Sequence, residues 1–216
     1  MHIIGGMKKQ PRGKIIKQLT IYLIFFMLMG VYFFLRNNQP GMIPVTGNGR
    51  SENASKNIAA QIKPSDLSHI LLKDGLKLSI TGQPRGKASF ISPNPEEITH
   101  FSMTQKFGSF GFLAHNYLAG ERFYQLREND GLELILANGS SLRYRIVQVH
   151  EIQAVNPHSV KSDFIDLDSG ETISAHELFL RMYGTPGNMT LQTCLERDGN
   201  QEWGRRFVIA VPAESA

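Results

Sequence analysis

The sequence predicts a mostly β domain carried behind one transmembrane helix. Three observations predict it: short apolar alternations recur from Asp66 onward, helix signals there are scarce, and one long uncharged apolar run lies near the N-terminus. At the size left for the domain, 66–216, a closed or nearly closed barrel is favoured over a sandwich.

The apolar run extends from Leu19 to Leu35 and is interrupted only weakly, by Thr20, Gly30 and two tyrosines. A bilayer core needs about 20 mostly apolar helical residues, so 18–36 reads as a membrane span. Lys8, Lys9, Arg12, Lys14 and Lys17 precede it without any acidic residue, which orients 1–17 toward the cytoplasm and the rest outside. A cleaved secretory signal would end in a small-x-small site. This run ends in Tyr32-Phe33-Phe34-Leu35-Arg36 instead, so an uncleaved anchor in the cell membrane is expected. Of the formal charge of +4, those five bases supply +5, and the remainder of the chain carries −1. The exported part has no basic stripe, which argues against nucleic acid as a partner.

Residues 37–65 are rich in Asn, Gly, Ser and Pro and read as a flexible linker. Beyond them, strands are expected at Leu76 to Ile80, Ala88 to Ile91, Phe110 to Ala114, Leu132 to Ala137, Leu142 to Val155, Thr190 to Cys194 and Phe207 to Val211. Asn138-Gly139 between two alternating runs marks a hairpin. The best helix runs from Ser174 to Met182, with Ser174 as cap and Glu177 three residues on, and a short helical turn is expected near Tyr117 to Phe123.

Cys194 is the only cysteine. It cannot form an internal disulfide, and in an exported domain a chemical use becomes the better reading of a lone thiol. A thiolate nucleophile needs a base, and acyl transfer needs a positive group where the oxyanion develops. Of the seven histidines, His69, His100, His158 and His176 fall in segments read as linker, loop or helix start, and His150 falls mid-strand. His115 ends the run Phe110 to Ala114, where a side chain is fixed yet reachable; the plain alternative is a turn histidine bonded to backbone. Arg205 and Arg206 precede the last apolar strand, and the plain alternative for them is solvation.

These residues match a pattern. Thr190-Leu191-Gln192-Thr193-Cys194 resembles the TLxTC signature of sortases, Arg206-Phe207-Val208-Ile209-Ala210 resembles their arginine before a hydrophobic strand, and Leu113-Ala114-His115-Asn116-Tyr117 looks like the segment carrying their histidine. Phe123-Tyr124-Gln125-Leu126 and Asp130 to Leu134 are similar to the family stretch between them. The resemblance covers about Leu76 to Val211. It implies a sortase-like closed barrel of about eight strands in which Cys194, His115 and Arg206 converge as catalytic residues, with Thr190, Leu191 and Thr193 as motif positions near the substrate. Arg206 is preferred over Arg205 because the apolar strand follows it at once and the strand period turns Arg205 to the other face. Ala114 stands where the family frequently has glycine.

The resemblance implies transpeptidation. Cys194 would cleave a C-terminal sorting signal of an exported protein, and an amine such as a peptidoglycan precursor or a pilin lysine would resolve the thioacyl enzyme. The alternatives are a tethered cysteine peptidase using water, and a non-catalytic β domain that binds peptides or wall components. No cofactor is expected. Asp163, Asp166, Asp168 and Glu171 form an acidic cluster that hard cations such as calcium could suit, but it lacks metal-loop spacing and reads better as a solvated loop.

Overall fold

Alternating apolar residues demand a sheet with two dissimilar faces, and the chain builds one that closes on itself. The computed structural model describes residues 61–159 and 161–213, so the expected membrane span at 18–36 and nearly all of the linker lie outside the described residues. Among the described residues no helix is long and apolar enough to cross a membrane.

The strands are β1 (Leu67–Leu71), β2 (Lys77–Gly82), β3 (Glu97–His100), β4 (Phe110–Ala114), β5 (Gly131–Leu136), β6 (Ser141–Ala154), β7 (Phe164–Asp166), β8 (Thr172–Ile173), β9 (Met189–Arg197) and β10 (Asn200–Pro212). Among the described residues there are also one α-helix, α1 (Ala175–Tyr183), and three 3-10 turns at Pro64–Asp66, Ser102–Phe107 and Ala119–Gln125. Neighbouring strands run β10-β9-β4-β3-β2-β1-β5-β6, and β6 pairs with β10 in turn. The result is a closed eight-stranded barrel, with β7 and β8 added beyond it along the C-terminal part of β6. Closure leaves none of the eight ring strands as an open edge.

The barrel interior holds Ile70, Leu78, Ile98, Phe112, Leu134, Leu191 and Val208, all almost fully buried. Each such side chain contributes about 1.5–3 kcal/mol by leaving water. A second cluster lies on the outer face, where Ile152, Phe207 and Ile209 meet Leu178, Met182 and Tyr183 of α1. Along β10 the members alternate: Val208 and Ala210 belong to the interior, Phe207 and Ile209 to the outer cluster.

Most predicted elements are found within a residue or two, and β4 coincides with its predicted run. Gly139 takes a φ of 86° in the β5–β6 turn, as the Asn-Gly dipeptide requires, and the Asn138 carboxamide oxygen accepts from the Ser140 amide. Ser174 caps α1 by accepting from the Glu177 amide, while the Glu177 carboxylate turns to Arg181 instead of completing the box. Ala88 to Ile91 is not a strand but a turn-rich connection. The strand is β3, whose Thr99 and His100 are buried, with the Thr99 hydroxyl accepting from the Ser92 amide. His69 likewise lies in a strand, β1, and not in a linker.

Candidate functional site

The site is set by two strand pairings. β4 and β9 run parallel, with Ala114 beside Thr193, so the residues that follow in the chain are His115, just past the end of β4, and Cys194 on β9. β9 and β10 run antiparallel, with Cys194 opposite Arg205 and Thr193 opposite Arg206. Residues directly opposite share a face, and their Cβ atoms stand about 4.5–5.5 Å apart. Cys194 therefore shares its face with Arg205, on the side where α1 packs. Thr190 and Gln192 confirm that face, since Thr190 donates to the Met182 carbonyl at 2.6 Å and Gln192 accepts from the Tyr183 hydroxyl.

This register corrects the placement expected of Arg206. Strand alternation does separate the two arginines, but with the opposite phase: Arg206 points to the barrel side and is 7% exposed. Its guanidinium donates to the Phe123 and Leu126 carbonyls, both at 3.3 Å, and to the Glu151 carboxylate. Arg205 is half-buried and donates to the Glu202 and Gly204 carbonyls at 3.0 and 2.8 Å.

The motif positions Thr190, Leu191 and Thr193 are each at most 1% exposed. Leu191 fills the barrel core, Thr190 ties β9 to α1, and Thr193 donates to the Ala114 carbonyl at 2.9 Å. The two threonines fix the strands on which the thiol and imidazole ride.

His115 leaves β4 into a tight turn, its carbonyl accepting from the amides of Leu118 and Gly120, each at 3.0 Å. Its ring stacks on Tyr117 at 5.3 Å between centroids. Gly120 is required by space, because a Cβ there would stand 2.7 Å from the His115 carbonyl oxygen and press on the Thr193 hydroxyl. Asn116 donates to Gln201, joining this turn to the start of β10. Of the other described histidines, His69 lies on β1, His100 is buried against Phe112, His176 is exposed, His150 lies on β6 with a buried Nδ1 that lacks a partner, and the exposed His158 places its Nδ1 3.7 Å from the Glu202 carboxylate.

Burial pushes the Cys194 thiol above its ordinary range, Arg205 pulls it back and Glu202 pushes it further up. The neutral thiol is therefore the favoured resting form at neutral pH, and a base must take its proton as the sulfur attacks. Arg205 provides a fixed positive charge on the thiol's own face, the setting in which an oxyanion is stabilised. Tyr124, Gly120 and Asn116 are site residues that sequence reasoning did not single out. Tyr124 and Asn116 had a signal, each as part of a quoted stretch; Gly120 had none.

Two of the four residues of the acidic cluster make structural contacts, and Asp163 and Asp168 are exposed. Asp166 accepts from the Asp168 and Ser169 amides, which holds its carboxyl below the usual range, and Glu171 pairs with Arg181. Among the described residues no three His, Cys, Asp or Glu side chains converge as metal ligands.

No family model matches this sequence, and no curated protein does. Among solved structures, the chain is similar to sortase C1 from Streptococcus suis, at 14% identity and a TM-score of 0.46, over 78% of this chain and 82% of that one. Sortase A from Corynebacterium diphtheriae is similar at 12% identity and a TM-score of 0.44, over 72% and 64% of the two chains. Sortase C from Clostridium perfringens SM101 follows at 13% and 0.42, over 77% and 87%. All three are sortases. With every TM-score below 0.5, no residue role here rests on them.

Proposed function

We propose that this chain is a membrane-anchored cysteine transpeptidase of the sortase kind, held by residues 18–36 with its catalytic domain outside the cell. The supporting observation is the register that sets Ala114 beside Thr193, each one residue before His115 and Cys194, and that sets Cys194 opposite Arg205. Cys194 Sγ attacks a backbone carbonyl near the C-terminus of an exported protein while His115 takes the thiol proton. Arg205 steadies the oxyanion. The amide C–N bond breaks, and His115 returns the proton to the departing amine, leaving a thioester. An incoming amine, from a wall precursor or a pilin lysine, loses its proton to His115, forms the new amide and releases the thiol.

Incubating the full chain in detergent with sorting-signal peptides, with and without a glycine oligomer or hydroxylamine, tests this by intact mass. Amide or hydroxamate adducts of the cleaved peptide are expected, and Cys194→Ala abolishes them. Cleavage with water alone, unaffected by amine, identifies a peptidase instead. Retention of activity in Cys194→Ala, or no product across a peptide library, overturns the thiol mechanism.

A further inference from the structure

The buried Arg206 is the charge that this mechanism leaves unused. A guanidinium taken almost wholly out of water needs several partners, and this one has three: the Glu151 carboxylate and the carbonyls of Phe123 and Leu126. Those two carbonyls flank Tyr124, and the Arg206 carbon Cζ lies 5.8 Å from the centre of the Tyr124 ring. The Tyr124 hydroxyl in turn donates to the main-chain carbonyl of Cys194 at 2.6 Å.

The contacts form a loop around the thiol. Thr193 holds the end of β4 through the Ala114 carbonyl, Arg206 lies opposite Thr193 on β10, and the 3-10 turn Ala119–Gln125 connects Arg206 back to Cys194 through Tyr124. The same turn contains Gly120, whose amide donates to the His115 carbonyl. One buried arginine thus grips the segment that approaches both the nucleophile's strand and the imidazole's turn.

We propose that Arg206 and Tyr124 form a positioning device for this reaction, the forked guanidinium fixing the 3-10 turn so that the Tyr124 hydroxyl holds the strand end bearing Cys194. This rests on the transpeptidase reading for its catalytic consequence. Neither residue touches the reacting atoms. A forked guanidinium satisfies two carbonyls and a carboxylate at once, whereas a lysine ammonium presents a point charge without the planar fork.

Four variants of the full chain test it: Tyr124→Phe, Arg206→Gln, Arg206→Lys and the double variant Tyr124→Phe with Arg206→Gln. Loss of one hydrogen bond of this kind corresponds to about a tenfold fall in kcat, with KM held within about twofold. Arg206→Lys is expected to behave like Arg206→Gln, and the double variant to be no slower than Arg206→Gln alone, because the two residues act in series. Alkylation of Cys194 by iodoacetamide needs no peptide and is expected to rise several-fold in each variant as the strand end loosens. A general loss of folding would lower the cooperative thermal transition and would also affect Tyr124→Phe, whose ring is retained.

Unchanged kcat and unchanged alkylation in Tyr124→Phe overturn the proposal, as do strictly additive effects in the double variant. If the parent chain transfers no peptide to any amine, the transpeptidase reading fails, and the alkylation rates still decide whether Arg206 and Tyr124 position the thiol.

Discussion

Arg205 and Arg206 are adjacent and chemically identical, yet the two faces of β10 use them differently. Arg205 is half-buried, bonded only to carbonyls of its own hairpin, and lies across from Cys194. Arg206 is buried, paired with Glu151 and bonded to the turn that carries Tyr124. The outer face carries the half-buried Cys194 and Arg205 beside the cluster under α1, the inner face carries the buried Arg206, and Thr193 beside Cys194 repeats the same division on β9. In a strand, one residue of phase decides whether a charge lies beside the thiol or is buried in the scaffold.

Substitution separates the two faces. Arg205→Ala is expected to lower kcat by about 10²–10³-fold while leaving thermal stability close to that of the parent, because it removes a charge at the oxyanion and no buried contact. Equal losses from Arg205→Ala and from a remote surface arginine would erase the distinction. Arg206→Ala is expected to cost about 2–3 kcal/mol of stability in urea unfolding, since two carbonyls and a partly buried carboxylate lose their donor.

Gly120→Ala tests the join between the faces. A methyl group there presses on the Thr193 hydroxyl and the His115 carbonyl, so stability should fall by about 1–3 kcal/mol and transfer should slow at unchanged thiol titration. Full activity would mean that the turn yields without moving His115. The smallest effect is electrostatic. Glu202 raises the Cys194 thiol and Arg205 lowers it, so in pH profiles of iodoacetamide alkylation Glu202→Gln should move the midpoint down and Arg205→Ala should move it up. Shifts of the opposite sign would remove both groups from the thiol's surroundings.

Much of this was legible in the chain. Phe110 to Ala114 is a strand because five consecutive small or apolar residues can be buried on both faces, and the Asn138-Gly139 turn carries its own geometry. β1 was hidden because a bulge between Leu67 and His69 breaks the period of two. β3 was hidden because Ile98 is its only large apolar residue; Thr99 is buried through a hydrogen bond that no hydropathy pattern records. Cys194 and His115 were picked out as candidates by motif and position, and the β4–β9 register sets the residues before them side by side. The choice between the arginines could not be counted along the sequence, because the β9–β10 pairing shifts register between Asn200 and Gly204. Tyr124 was visible as a residue but not as a partner of Cys194, since that hydrogen bond joins positions 70 apart.

Barrel closure has a consequence for the order in which the molecule matures. β10 supplies both the seam to β6, more than 50 residues earlier, and the strand opposite Cys194. Contacts so distant in sequence form late, because loop closure must be achieved before they reward it. While the chain is being made, at about 5–20 residues per second, His115 and then Cys194 emerge before Asn200–Pro212 exists to complete the ring. Cys194 thus emerges shortly before the strand that both seals the barrel and sets Arg205 opposite it, so its surroundings are completed only at the very end of synthesis.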